Sequence, residues 1–201
     1  MDATNDPEGI TPLDPNELDG LKFMHITTRE QLNHLEQANI QSGLSWLERR
    51  RNTDILNERF VRDLHKHLFG EVWTWSGTFR TTEKNIGIDP IQIGVQLRIL
   101  LDDVRYWIEN DTYAPVEMAL RFHHRLVYIH LFPNGNGRHA RIMADILLVQ
   151  MLKKPPIDWT GGHNLRAMTE RRQQYIRALK AADQGDYRPL LGFVKDDKME
   201  C

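Results

Sequence analysis

The sequence predicts an all-α domain with one short stretch of strand. Three observations carry this. Apolar residues recur at helical spacing over most of the chain, proline and threonine stand where helices would begin, and a single segment rich in Trp, Thr and Gly lacks that period. With 201 residues, 40% of them hydrophobic, the chain can bury one substantial core. One domain is therefore expected over 21–196, with an arm at 1–20 and a tail at 197–201.

Pro7, Pro12 and Pro15 lie among acidic residues and two glycines, a composition that favours an extended arm. Thr27 or Thr28 can cap a first long helix reaching about Arg51, with Leu32, Leu35, Ile40, Leu44 and Leu47 in phase. Arg49, Arg50 and Arg51 suit the negative pole of its dipole. A second helix spans 54–69 and carries Phe60, Leu64 and Leu68 on one face. The segment from Trp73 to Ile88 reads as a loop or short hairpin. Asp89 before Pro90 starts another helix, in phase through Leu97, Leu101, Val104 and Ile108 to Asn110. The next runs from Pro115 through Met118, Phe122, Leu126 and Ile129 to His130. After a break at 133–137 a helix continues through Ile142, Ile146 and Val149 to Lys153, where Pro155 and Pro156 end it. Two last helices, about 164–182 and 188–195, are parted by Gly185.

Interspersed charges summing to −2 leave no one-sided basic surface, which argues against a nucleic-acid partner. The single cysteine, Cys201, excludes an intramolecular disulfide and a cysteine-rich metal site. An acidic N-terminus (Asp2, Asp6, Glu8) and the lack of a long apolar run predict no signal peptide and no membrane span, hence a cytoplasmic protein. His65, His67, His123 and His124 lack the spacing of a helical zinc site and are expected to be structural or solvent-facing.

The chemistry concentrates in His130-Leu131-Phe132-Pro133-Asn134-Gly135-Asn136-Gly137-Arg138-His139-Ala140-Arg141. Gly135 and Gly137 let backbone N–H groups face a ligand, and the following helix points its positive end at the same place. Arg138 and Arg141 sit in the first turn of that helix, against its dipole, which an anion would compensate. His130 lies across the loop and can titrate near neutrality.

This segment resembles the Fic family signature, His-Pro-Phe-x-Asp/Glu-Gly-Asn-Gly-Arg-x-x-Arg, with Leu131 for the usual Pro and Asn134 for the usual carboxylate. Within the family it resembles the type called mobile mystery protein B. Trp75-Ser76-Gly77-Thr78-Phe79-Arg80 is similar to the Trp-Ala-Gly-x-Tyr-Arg segment that precedes a target-aligning hairpin flap, and the Tyr175, Leu179, Ala182, Asp183, Gly185 pattern is similar to the family's C-terminal helix. The resemblance implies a Fic-type helical bundle with one small β-hairpin. It implies transfer of AMP from ATP to a protein Ser, Thr or Tyr hydroxyl, with His130 as base and Asn134 holding Mg²⁺. Gly135, Asn136 and Gly137 would form the anion hole, with Arg138 beside it and Arg141 on the γ-phosphate. The flap would comprise Thr82, Glu83, Lys84, Asn85, Ile86, Gly87 and Ile88. Altered family loops imply two alternatives, a phosphotransferase or a deAMPylase. A non-catalytic nucleotide-responsive module of a toxin–antitoxin pair is the alternative from another class, and a homo-oligomer is left open.

Glu36 falls in the middle of the apolar face of the first long helix, beside Asn39 and Gly43. A carboxylate there needs a cation or donor, unless the helix is turned to leave it wet. A structural ion pair would satisfy it. The resemblance adds an inhibitory helix, Ser/Thr-x-x-x-Glu-Gly/Asn, whose Glu pairs with the second motif arginine, here Arg141. Leu32-x-x-x-Glu36-Gln37 keeps only its Glu.

Overall fold

The computed structural model describes residues 14–23, 25–50, 53–159 and 165–195. The arm before residue 14, Arg51, the expected helix start at 164 and the tail with Cys201 lie outside the described residues. Eight α-helices are described: α1 Pro15–Leu18, α2 Arg29–Glu48, α3 Glu58–Phe69, α4 Ile93–Glu109, α5 Pro115–Ile129, α6 Asn136–Ile146, α7 Leu165–Asp183 and α8 Arg188–Lys195. A 3₁₀ turn, Pro90–Gln92, leads into α4.

Local chemistry sets these boundaries. Thr28 Oγ1 accepts the Gln31 N–H at 3.2 Å while the Gln31 side chain returns to the Thr28 N–H, a capping box that satisfies two otherwise orphaned donors of α2. Asn57 caps α3 and Asp89 the 3₁₀ turn, while Pro115 occupies the first turn of α5, where its missing N–H costs nothing. The helix after the motif loop is regular only to Ile146. It widens into a π turn, Leu147–Met151, where the Leu152 N–H bonds the Leu147 carbonyl at 3.1 Å.

The central helix is α5, flanked by α4 and α6, with α7 and α8 beyond. Leu97, Leu101, Val104, Phe122, Leu126, Ile129, Met143 and Leu147 from α4, α5 and the α6 region make one buried core with Phe60, Leu64 and Leu68 of α3. Its close packing holds the two ends that face the motif loop. On the other side α2 lies along α3. Asn39 Nδ2 donates to the His67 carbonyl at 2.9 Å and Asn39 Oδ1 accepts the Glu71 N–H at 2.8 Å, so this polar residue tidies the end of α3.

Two expectations are corrected. The arm is not extended throughout: Pro15–Leu18 form the helical turn α1, capped by Asp14, whose N–H bonds Glu17 Oε2 at 2.8 Å. The expected hairpin is absent too, since segment 73–88 contains no strand, only an isolated bridge of Trp73 to Leu21. Its carbonyls bond a guanidinium instead of a partner strand, as set out below. No helix among the described residues is long and apolar enough to cross a membrane.

At Gly43 a Cβ would lie 2.8 Å from the His67 carbonyl oxygen and 2.9 Å from Leu68 Cδ2. Alanine gains about 1 kcal/mol of helix propensity there, yet overpacking typically costs about 1–3 kcal/mol. Gly43→Ala is therefore expected to lower the melting temperature. A thermal melt followed by circular dichroism checks it, and a more stable variant would contradict the tight α2–α3 contact.

Candidate active site

The site begins where α5 stops. His130 is the C-cap and adopts a left-handed conformation, φ 58° and ψ 65°, which a non-glycine residue holds only when its surroundings insist. The insistence comes from Arg80. This side chain is only 2% exposed, and its Nε donates to the His130 carbonyl at 2.6 Å. Its Nη1 donates to the Thr82 carbonyl at 2.8 Å, and its Nη2 to the carbonyls of Ile88 and Ile129. The Arg80 N–H also bonds the Leu131 carbonyl at 3.0 Å. One guanidinium thus joins the end of α5 to both ends of segment 82–88, so the two arms of the segment close on Arg80 and form no ladder with each other. Gly87, at φ 115°, brings the segment against the histidine; a Cβ there would sit 2.6 Å from His130 Cβ. Burial pushes His130 down to about 4, and the charge of Arg80 adds to the shift, so the ring is neutral at ordinary pH.

The loop that follows is held from inside. Asn136 Oδ1 accepts the Phe132 N–H at 2.9 Å and Asn136 Nδ2 donates to the Phe132 carbonyl at 2.7 Å, so this buried side chain closes the loop and is committed to it. Phe132 is fully buried and stacks on His65 with centroids 3.7 Å apart. His65 Nδ1 accepts the Gly77 N–H at 3.0 Å, leaving Nε2 to donate to the Asn134 carbonyl at 3.1 Å. A buried neutral histidine therefore props the loop from α3, a role that the sequence reading missed. The turn itself belongs to Gly135, φ 78°, where a Cβ would meet the Phe69 ring at 2.7 Å. Gly137 is already helical and a Cβ there would touch nothing, so the turn does not require it.

The first backbone N–H groups of α6 have no intrahelical acceptor, and the helix dipole adds positive potential, a suitable seat for phosphate oxygens. Arg138 rises from that first turn and Arg141 from the second. Arg138 lies over the Phe69 ring at 4.8 Å, and Arg141 Nε donates to the Gly137 carbonyl at 3.2 Å with its guanidinium 5.8 Å from the Tyr175 ring. Asn134 Oδ1 accepts the Gly135 N–H at 2.6 Å. Mg²⁺ commonly takes one or two protein oxygens and completes its shell with phosphate and water. A half-buried neutral amide oxygen with a second lone pair fits that role as a single ligand, and no cluster of three His, Cys, Asp or Glu able to hold a metal occurs among the described residues.

Residues 55–148 match the Fic/DOC family. They are a Fic domain. The curated relatives include the protein adenylyltransferase Fic of Drosophila grimshawi, 30% identical over 140 residues, and that of Aedes aegypti, 27% identical over 147. The aligned stretches cover 68% and 71% of this chain, but only 27% and 28% of those relatives, so the chain spans about a quarter of their length. The same fold appears in the N-terminal FIC domain of Bep8 from Bartonella sp. 1-1C, with a TM-score of 0.68 at 13% identity over 90% of each chain. It appears also in Fic-1 of C. elegans, with a TM-score of 0.64 at 23% identity over 89% of this chain and 52% of that one. These relatives bear on the family and not on the mobile mystery protein B type within it.

Glu36 is buried, as its place on the helix face requires, and it is bound on both oxygens. Oε1 accepts from Trp73 Nε1 at 2.8 Å and Oε2 from Arg138 Nη1 at 2.6 Å. The partner is thus the first motif arginine and not Arg141, which corrects the expectation. Phe69 and α2 stand on the Arg138 side of the Fic loop, whereas Arg141 is turned toward α7.

Burial holds His139 at about 4 and His123 at about 3, Arg141 lowering the latter further. With His130, these rings take up no proton in the folded chain until well below the 6.5 of an unfolded histidine. Between those limits the unfolded chain binds more protons. Stability present in full above about pH 6.5 should therefore decline steadily as the pH falls toward about 4. Melting temperatures measured across that window check it; a flat profile would mean that these histidines are solvated.

Proposed function

We propose that this chain transfers AMP from ATP to a Ser, Thr or Tyr hydroxyl of a protein, and that Glu36 holds it in a low-activity state. The observation that carries the reading is the neutral His130 fixed beside the amino end of α6, an imidazole base next to an anion seat. In the reaction His130 takes the proton of the hydroxyl as its oxygen attacks the α-phosphorus. The new O–P bond forms while the bond to the bridging oxygen breaks, and pyrophosphate leaves. The backbone of Gly135, Asn136 and Gly137 receives the phosphate oxygens, with Arg138 and Arg141 balancing their charge. Mg²⁺, when bound at Asn134 and the phosphates, would neutralise charge on the departing group. Segment 82–88 lies beside His130 and would align the target chain. Support comes from the curated relatives named protein adenylyltransferases and from the related BepC of Bartonella tribocorum, solved with bound AMPPNP.

Asn134 favours a second reading within the same chemistry, removal of AMP or transfer of another phosphoryl-containing group, because an amide binds Mg²⁺ less tightly than a carboxylate. The mass added to a target separates the two.

The direct test is incubation with α-labelled ATP, Mg²⁺ and a cell lysate. Loss of the base should cost about 10²-fold or more in transfer, so His130→Ala is expected to bind ATP and label almost nothing. Full labelling by that variant would remove His130 from the mechanism.

Glu36 engages the Arg138 guanidinium that the phosphates would otherwise claim. Breaking a charge-assisted pair of about 1.5–3 kcal/mol in favour of nucleotide, with realigned reacting atoms, should raise labelling by about 10- to 100-fold in Glu36→Gly. The same variant strands Trp73 Nε1 and leaves a cavity, so its melting temperature should fall. A less stable variant that is no more active would make the pair purely structural.

A further inference from the structure

Segment 82–88 is gripped at its ends by Arg80, but its centre is held from elsewhere. Lys84 has a side chain only 2% exposed although residues 82, 83 and 85–87 around it face solvent. Its Nζ lies 3.0 Å from Asp14 Oδ2 and 2.5 Å from Glu17 Oε2. Thr82 Oγ1 adds bonds to the same two carboxylates, at 2.8 Å to Asp14 and 3.2 Å to Glu17. Asp14 is the N-cap of α1 and Glu17 lies three residues on within it, so one helical turn presents both to one ammonium.

That turn has its own footing on the body of the domain. Trp75 Nε1 donates to the Glu17 carbonyl at 2.9 Å, the Thr74 N–H to the Gly20 carbonyl at 2.9 Å, and the Lys22 N–H to the Val72 carbonyl at 3.0 Å. Gly20 packs against the Trp75 ring so closely that a Cβ would come within 2.8 Å of Nε1. None of these bonds involves segment 82–88. The carboxylates therefore reach the segment from a fixed platform and can restrain it, while a lysine withdrawn from water would be costly without them.

We propose that α1 is a strap that positions segment 82–88 for the acceptor protein, with Asp14 and Glu17 as positioning residues acting through Lys84 and Thr82. The proposal rests on the reading that this segment aligns the target. A segment already ordered loses less freedom when an acceptor chain docks, so the strap favours acceptor engagement and leaves nucleotide binding to the motif loop. Asp14 is held below its ordinary value by its bond to Lys84 and then by that to Thr82, in keeping with a carboxylate committed to this contact.

Trypsin provides a direct probe, because cleavage after Lys84 requires its side chain to leave the carboxylates. In the full chain, the double variant Asp14→Asn with Glu17→Gln should be cut between Lys84 and Asn85 about tenfold faster than the parent, as local opening becomes easier. Amide exchange over 81–88 should quicken with it, and Lys84→Met, immune to cleavage there, should show the same exchange. The affinity for ATP measured by calorimetry should stay within about twofold, whereas label transfer from α-labelled ATP to lysate proteins should drop about tenfold. Asp14→Glu, which keeps the charge, should behave as the parent. Unchanged cleavage in the double variant, together with unchanged exchange in both variants, would overturn the strap. Faster cleavage with undiminished transfer would overturn its positioning role. A parent and a Glu36→Gly variant that both label nothing would count against the transferase reading itself and so against any acceptor role, while trypsin still decides whether α1 holds Lys84.

Discussion

A buried guanidinium with only carbonyl partners organises the functional half of this domain. Arg80 carries no bonded carboxylate; it is compensated by main-chain oxygens at the end of α5 and at both ends of segment 82–88. Helix ends expose carbonyls that must find donors. Here the carbonyls of Ile129 and His130 take their donors from one side chain, at the left-handed turn that aims His130. Because the same group serves helix and segment, the base and the surface beside it are positioned as a unit. A lysine would supply a compact point charge and could not match that fork of donors.

The phosphate-facing side of the site has a separate support. Asn136 closes the loop on Phe132, His65 props it from α3, and Gly135 lets it pass over Phe69. None of these contacts involves Arg80. The two supports adjoin at Leu131 and Phe132, where the Arg80 N–H bonds the Leu131 carbonyl and the Phe132 N–H bonds Asn136 Oδ1. Glu36 adds a third input, reaching Arg138 from α2 while Trp73 steadies its other oxygen.

Much of this was legible in the sequence. Helix positions followed from apolar period and caps, Thr28 and Pro115 marking starts closely. The burial of Glu36 followed from its helical phase, because phase fixes which face a residue occupies. Its partner did not, since Arg138 and Arg141 lie one turn apart and only the packing of Phe69 and Tyr175 separates their directions. The missing hairpin was hidden for a similar reason: local composition suggested strand, but the competing donor belongs to a residue whose reach depends on tertiary structure. A signal was overlooked in the arm, where Asp14-Pro15-x-Glu17 has the cap, the first-turn proline and the returning glutamate of a helix start. The role of His65 left no such trace, because a histidine on an apolar helix face reads the same whether it props a loop or merely fills space.

The carboxylate that reaches the motif lies outside the stretch that matches the family. Residues 55–148 carry the base, the loop, both arginines and Trp73, whereas Glu36 approaches from α2. Helix α2 touches that stretch mainly through α3. Inheritance can therefore treat the two separately: a lineage that exchanges its first fifty residues alters what meets Arg138 and what restrains Lys84, while the loop that follows His130 is copied unchanged.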